Sequence, residues 1–164
     1  MNIIVAASKN MGIGFENQLP WFLKRELQYF KNKTIGAGKN NIILTGKNTW
    51  DSLPNKPLPN RINCILSRGR WTQKSAYIFN DKDSFLNFAK TKTYENIWII
   101  GGESVYKQFI NEPYVKNIYL THILQDFKCD TFFPEILPEY KLIQQSAIVT
   151  ENNIHYKHKL FSKV

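Results

Sequence analysis

Short apolar runs, most of them near-continuous Ile, Val and Leu, constrain this chain more than any other feature. They fall at residues 3–7, 41–45, 62–66, 76–79, 97–100 and 118–123. A strand with one face in water alternates apolar and polar residues, whereas a strand covered by helices on both faces does not. Continuous runs of this length therefore predict a parallel sheet buried on both sides. Helix-like stretches lie between them at 22–31, from Asn48, at 82–89 and at 104–110. Two later segments, 142–149 and 154–161, alternate more and flank Glu151-Asn152-Asn153, a turn signal, so they read as a terminal hairpin. The expected fold class is α/β. It is a single domain over residues 1–164, with an eight-stranded, mostly parallel twisted sheet, an antiparallel C-terminal edge hairpin and helices on both faces.

The other bulk features narrow the classes of function. At 43% hydrophobic and 14% aromatic residues the chain can fill a core, which excludes a disordered segment. No apolar run approaches the roughly 18 residues of a membrane span. The first seven residues lack a basic leader and turn polar after a short apolar run, so they read as a strand and the expected location is the cytoplasm. Cys64 and Cys129 read as reduced thiols. There is no CxxC or HExxH, and His155 and His158, three apart on a strand, face opposite ways, so no metal site is expected. The net charge of +9 suits nucleic acid or small polyanions equally, but the cations are dispersed without a block of five or six.

Two segments carry candidate chemistry. In the predicted helix 22–31, Glu26 shares its face with Phe22, Leu23, Tyr29 and Phe30, with no cation at those four positions. Such a carboxylate either reaches water at the edge of the face or sits in a pocket with a raised pKa. Ile97 to Tyr106 runs from a strand through Gly101-Gly102 into a helix, which is either an ordinary turn or a place where backbone meets a phosphate. Gly12-Ile13-Gly14 lacks the third glycine of a dinucleotide fingerprint, having Asn17 there. Gly46-Lys47 lacks the upstream glycine of a phosphate-binding loop. The irregular stretch before Trp21 reads as either a lid or a surface loop.

Taken in order, these segments resemble the dihydrofolate reductase family across nearly the whole chain. The matching pieces are Ile4-Val5-Ala6-Ala7, Gly12-Ile13-Gly14, Asn17-Gln18-Leu19-Pro20-Trp21, and Leu23 through Phe30. They continue through Gly46-Lys47-Asn48-Thr49-Trp50-Asp51-Ser52, Pro57-Leu58-Pro59-Asn60-Arg61, Leu66-Ser67-Arg68 and Ile100-Gly101-Gly102 with Val105-Tyr106. Leu120-Thr121-His122 and Asp130-Thr131-Phe132-Phe133-Pro134 complete the set. The resemblance implies NADPH-dependent reduction of 7,8-dihydrofolate to 5,6,7,8-tetrahydrofolate, with hydride delivered to pterin C6 and a proton gained at N5, in support of one-carbon metabolism and thymidylate synthesis.

The same resemblance implies residue roles. Glu26 would hydrogen-bond the pterin 2-amino group and N3, with Thr121 and Trp21 completing the catalytic set. Val5, Ala6, Leu27, Phe30, Leu53, Leu58, Ile100 and Tyr106 would line the substrate, and Arg61 would fork onto its α-carboxylate, a geometry that lysine does not match. Ala7, Ile13, Gly14 and Leu19 would line the nicotinamide. Gly46, Lys47, Asn48, Thr49, Ser67, Arg68, Gly101, Gly102, Ser104 and Val105 would hold the rest of the cofactor, with Lys47 and Arg68 on its 2′-phosphate and a cis bond at Gly101-Gly102. Residues 8–21 would be the family's mobile loop over the nicotinamide.

Four features depart from the pattern: Thr45 before Gly46, a long stretch at 35–40, Phe22 after Trp21, and the negative charge of Glu103 near the diphosphate. The expected partners are dihydrofolate and antifolate inhibitors, with no nucleic acid or membrane, and the expected state is a monomer. A riboflavin-pathway reductase of the same fold is disfavoured by Glu26, Trp21 and Arg61. A basic nucleic-acid-binding module would need the clustered cations that are missing, while a structural role stays open because folds acquire second functions.

Overall fold

Each of the six apolar runs becomes a strand, and each predicted helical stretch becomes a helix. The computed structural model describes residues 1–38 and 40–164; Lys39, inside the 35–40 stretch, lies outside them. In chain order the elements are β1 (Asn2–Ala7), β2 (Gly12–Gly14), α1 (Lys24–Ile35), β3 (Ile42–Gly46), α2 (Lys47–Ser52), β4 (Ile62–Leu66), β5 (Tyr77–Phe79) and α3 (Lys82–Ala89). There follow β6 (Ile97–Ile99), α4 (Glu103–Phe109), β7 (Asn117–Ile123), β8 (Thr131–Phe132), β9 (Tyr140–Gln145), β10 (Val149–Glu151) and β11 (Ile154–Lys163).

The main sheet runs β10-β11-β7-β1-β6-β3-β4-β5, with β9 also paired to β11. From β7 to β5 every neighbouring pair is parallel, and β11 is antiparallel to β7, β9 and β10. The eight-stranded path thus gains a ninth strand because the segment 142–149, read as one strand, breaks into β9 and β10 along the same edge of β11. At the break the Ser146 hydroxyl accepts from the His158 N–H at 3.0 Å, while the Ser146 N–H donates to the His158 carbonyl at 2.9 Å. Asn152 and Asn153, with φ of 51° and 60°, turn β10 into β11. This is the left-handed geometry a tight hairpin needs.

From β1 the chain steps outward through β3 and β4 to β5, then returns to β6 and β7. Right-handed crossovers in opposite directions put α1 and α2 on one face and α3 and α4 on the other. Strand alternation then sorts the core. Ile3, Val5, Ala7 and Leu120 pack with Phe85, Val105, Tyr106 and Phe109 on the α3/α4 face. On the α1 face, Ile4, Ile43, Trp98 and Ile100 pack with Tyr29, Phe30 and Leu58, and Trp21 and Leu23 pack with Ile123 and Tyr156. The reversal of direction between β1 and β6 leaves a crevice at the strand C-terminal ends, the general binding place of open α/β sheets.

Two local expectations change. Helix α1 begins at Lys24 and runs on to Ile35, ending where Gly36 takes φ 62°. Leu23 is extended and caps it, so Phe22 is 68% exposed and does not share the buried face of Glu26; Leu23, Tyr29 and Phe30 do. The stretch 8–21 is also more ordered than its irregular sequence suggests, because β2 pairs with β8 in a small second sheet.

Candidate active site

Glu26 stands in the first turn of α1 with 7% of its surface exposed. Its Oε1 accepts a hydrogen bond from the Thr121 hydroxyl of β7 at 2.9 Å. The cation missing from its helix face is not supplied from elsewhere: none of the ion pairs among the described residues includes it. Burial pushes its pKa up to about 7; the Thr121 hydrogen bond opposes that rise and the Glu151 charge adds to it. A cavity of about 20 Å³ adjoins the carboxylate, lined by Leu19, Trp21, Phe22, Leu23, Glu26 and Leu27. Trp21 is buried against Phe127, with ring centroids 5.4 Å apart, whereas Leu19 and Leu27 are 50% and 42% exposed. Exposed apolar side chains around a buried acid are the lining expected of a small-molecule site.

The wall continues through Phe30, Leu58 and Ile100, which join the α1-face core, with Leu53 half-buried after α2. Arg61, at the start of β4, is held by two partners: its Nε donates to the Pro59 carbonyl and its Nη1 to the Thr34 hydroxyl, both at 2.9 Å. Thr34 in turn donates to the Phe30 carbonyl at 2.8 Å, so the guanidinium is tied to the helix that carries Glu26. Three residues expected at the ligand turn their side chains into the core. The Val5 and Ala7 side chains point to the α3/α4 core, because alternation along β1 puts Asn2, Ile4 and Ala6 on the Glu26 face. Tyr106 is buried and its hydroxyl donates to the Ile4 carbonyl at 2.8 Å, so it buttresses β1.

The second half of the crevice is built from backbone and cations. β3 and β4 are in parallel register with Gly46 opposite Leu66, so Lys47, Asn48 and Thr49 lie beside Ser67 and Arg68. The Lys47 ammonium pairs with Asp51 at 2.8 Å and lies 5.1 Å from the centre of the Trp71 ring. Trp71 Nε1 donates to the Ser67 hydroxyl at 2.9 Å. The Gly101-Gly102 peptide is cis, and the Gly101 carbonyl accepts from the Gly46 N–H at 2.8 Å and the Thr45 hydroxyl at 3.1 Å. Thr45 thereby locks two strand ends together. A Cβ on Gly102 would come to 3.0 Å from Thr49 Oγ1, and one on Gly46 to 3.2 Å from Val105. The strand ends are bare backbone flanked by cations, a lining that fits a phosphorylated dinucleotide. Ser104 is exposed on the first turn of α4. Glu103 turns its carboxylate to the Phe132 N–H, 3.0 Å away, with Lys107 at 4.0 Å, so its charge is engaged on β8.

The loop before Trp21 is docked rather than open. Asp130 accepts from the Glu16 N–H at 2.9 Å and donates its own N–H to the Gly14 carbonyl at 2.9 Å. A Cβ on Gly12 would strike Cys129 Sγ, and one on Gly14 would meet Thr131 Oγ1 at 2.9 Å. These glycines allow close passage against residues 129–131, and Ile13 between them is half-buried. His158, whose Nδ1 lies 3.0 Å from Thr121 Oγ1, carries no local sequence signal of that contact. Its place opposite Thr121 appears only once the β7–β11 register is known.

Comparison with known proteins agrees with this arrangement. The dihydrofolate reductase family model matches residues 1–163. Dihydrofolate reductase of Rattus norvegicus is 38% identical over 181 aligned residues, covering 99% of this chain and 97% of that protein. That of Aedes albopictus is 34% identical, over 99% and 97%. A viral dihydrofolate reductase of Saimiriine herpesvirus 2 is 38% identical, over 100% of this chain and 85% of its own length. A match over the whole length, joined to a buried acid at one end of the crevice and bare, cation-flanked strand ends at the other, places this chain in the dihydrofolate reductase family.

Proposed function

We propose that dihydrofolate lies along the α1 side of the crevice with its pterin on Glu26, and that NADPH occupies the strand ends from Gly101-Gly102 to Arg68. The activity itself, reduction of dihydrofolate with NADPH, follows from membership of the family. The observation that carries the placement is the Glu26 carboxylate, buried, bonded to Thr121 and in no ion pair among the described residues. A flat ring with adjacent N–H donors satisfies its oxygens as water can no longer do. Ala6, Leu27, Phe30 and Leu58 pack the ring, Trp21 and Leu19 keep water out, and Arg61 binds the glutamate carboxylate of the substrate. When bound, NADPH supplies the hydride that goes to pterin C6 while N5 takes up a proton. Lys47 and Arg68 attract the 2′-phosphate, and Thr49, Ser67 and the Gly102 backbone orient the chain between the two ends.

The pH dependence of kcat/KM tests the placement. Wild-type enzyme should show a step governed by Glu26, and Glu26→Gln should lose it; a Glu26→Gln profile of wild-type shape overturns the assignment. We also place the enzyme in the cytoplasm as a monomer. In support, no helix among the described residues is long and apolar enough to cross a membrane, and both cysteines are free. Sedimentation at micromolar concentration checks the monomer.

A further inference from the structure

We infer that His158 is a positioning residue for the reaction, fixing the Thr121 hydroxyl as a donor to Glu26. The inference rests on the placement of Glu26 at the pterin. Thr121 Oγ1 lies 2.9 Å from Glu26 Oε1 and 3.0 Å from His158 Nδ1. A hydroxyl carries one proton. If that proton goes to the Glu26 carboxylate, the contact with His158 can form only if Nδ1–H donates to Oγ1. A neutral imidazole has one N–H, so this chain selects the Nδ1–H tautomer. Burial first, and the Lys33 charge second, hold His158 below the usual imidazole pKa and keep the ring neutral.

The surroundings fix the ring as well as the proton. Thr121 and His158 are directly opposed across β7 and β11, so their side chains share the α1 face. Tyr29, one turn after Glu26 on α1, stacks on the imidazole with centroids 3.8 Å apart and planes 20° from parallel. Helix α1 therefore grips the cross-strand pair twice, through Glu26 on Thr121 and Tyr29 on His158. The charged and titratable groups around the ring are Glu26, Tyr29 and Lys33 of α1, Tyr119 of β7 and Tyr156 of β11. Glu151 of β10 acts on the same carboxylate. Donation into Thr121 polarises its hydroxyl and strengthens the bond to the carboxylate, which favours ionised Glu26. His158 thereby sets both the direction and the strength of the contact that orients the acid.

Imidazole 15N shifts and the 13C titration of the Glu26 carboxyl in the full chain test this. The expected result is a protonated Nδ1 in His158. His158→Phe, which keeps the ring stack and removes the donor, should raise the Glu26 midpoint by about half a pH unit. His158→Asn, whose amide nitrogen takes the place of Nδ1, should bring it back. An unprotonated Nδ1 in the wild type overturns the inference without recourse to any variant. So does a Glu26 midpoint that His158→Phe leaves unmoved or that His158→Asn fails to restore. If Glu26→Gln keeps the wild-type pH profile, the pterin placement fails instead, and the His158 tautomer is scored separately by its nitrogen shifts.

Discussion

The two ends of the crevice handle charge in opposite ways. At the Glu26 end one carboxylate is shut inside the protein, bonded to Thr121, and burial rather than solvent sets its pKa. At the Lys47 end the charges stay in water: Lys47 and Asp51 are each 45% exposed and Arg68 is on the surface. A buried charge acts in a low dielectric, where each group counts for much and salt does little. Exposed charges act in water, where each counts for little and salt screens them. The first end can hold a neutral ring rigidly, and the second can gather a highly charged ligand and release it.

Substitutions can break this contrast, beginning with the largest effect. Glu26→Gln should lower kcat/KM for dihydrofolate by about 2–4 kcal/mol in transition-state stabilisation at neutral pH, and salt should not change the loss. The same variant should be more stable than wild type in alkali. Folding raises the Glu26 pKa from 4.5 to about 7, so the folded state binds its proton more tightly than the unfolded state does. Wild-type stability therefore falls as pH rises through that window, by up to about 3 kcal/mol, and the fall is complete above it. Denaturant midpoints for both proteins at pH 4 and pH 8 check the sign, and a gap that narrows toward pH 8 contradicts it.

Arg61→Leu stands next. The guanidinium is half-buried and braced, so its loss should weaken dihydrofolate by roughly 2 kcal/mol. A pterin without the glutamate tail should be nearly unaffected, and calorimetry with both ligands separates them. At the exposed end, Lys47→Ala/Arg68→Ala should cut the NADPH over NADH preference at least tenfold, about 1.4 kcal/mol. Added salt should erode the wild-type preference in the same direction. The smallest effect is Asp51→Ala. Freeing Lys47 from an exposed ion pair should tighten NADPH by less than about 1 kcal/mol at low salt and by nothing measurable at high salt. A large effect there would show that the contrast between the ends is overdrawn.

Much of this was legible in the residues. The strands were, because burial on both faces writes itself as continuous apolar runs. Glu26 was, because a carboxylate without a cation one turn away is a local anomaly. β2 and β8 were not: they pair because two glycines let distant backbones meet. The split of 142–149 depends on the bonds between Ser146 and His158, 12 residues apart. The partner of Glu26 lies 95 residues away, and the face that each β1 side chain takes depends on strand phase. Neither is present in any short window of sequence.

The place of β11 in the sheet bears on how the protein comes off the ribosome. Synthesis runs from the N-terminus, so β1, β6 and β7 are complete while β11 is still to be made. Until β11 arrives, β7 is an open edge along seven paired positions, able to recruit any passing strand. Glu26 and Thr121 can meet at that stage, but the imidazole that directs the hydroxyl is absent. In that interval any sheet already formed would have an open edge and an acid without its imidazole. A chaperone that shields β7 would act in that interval.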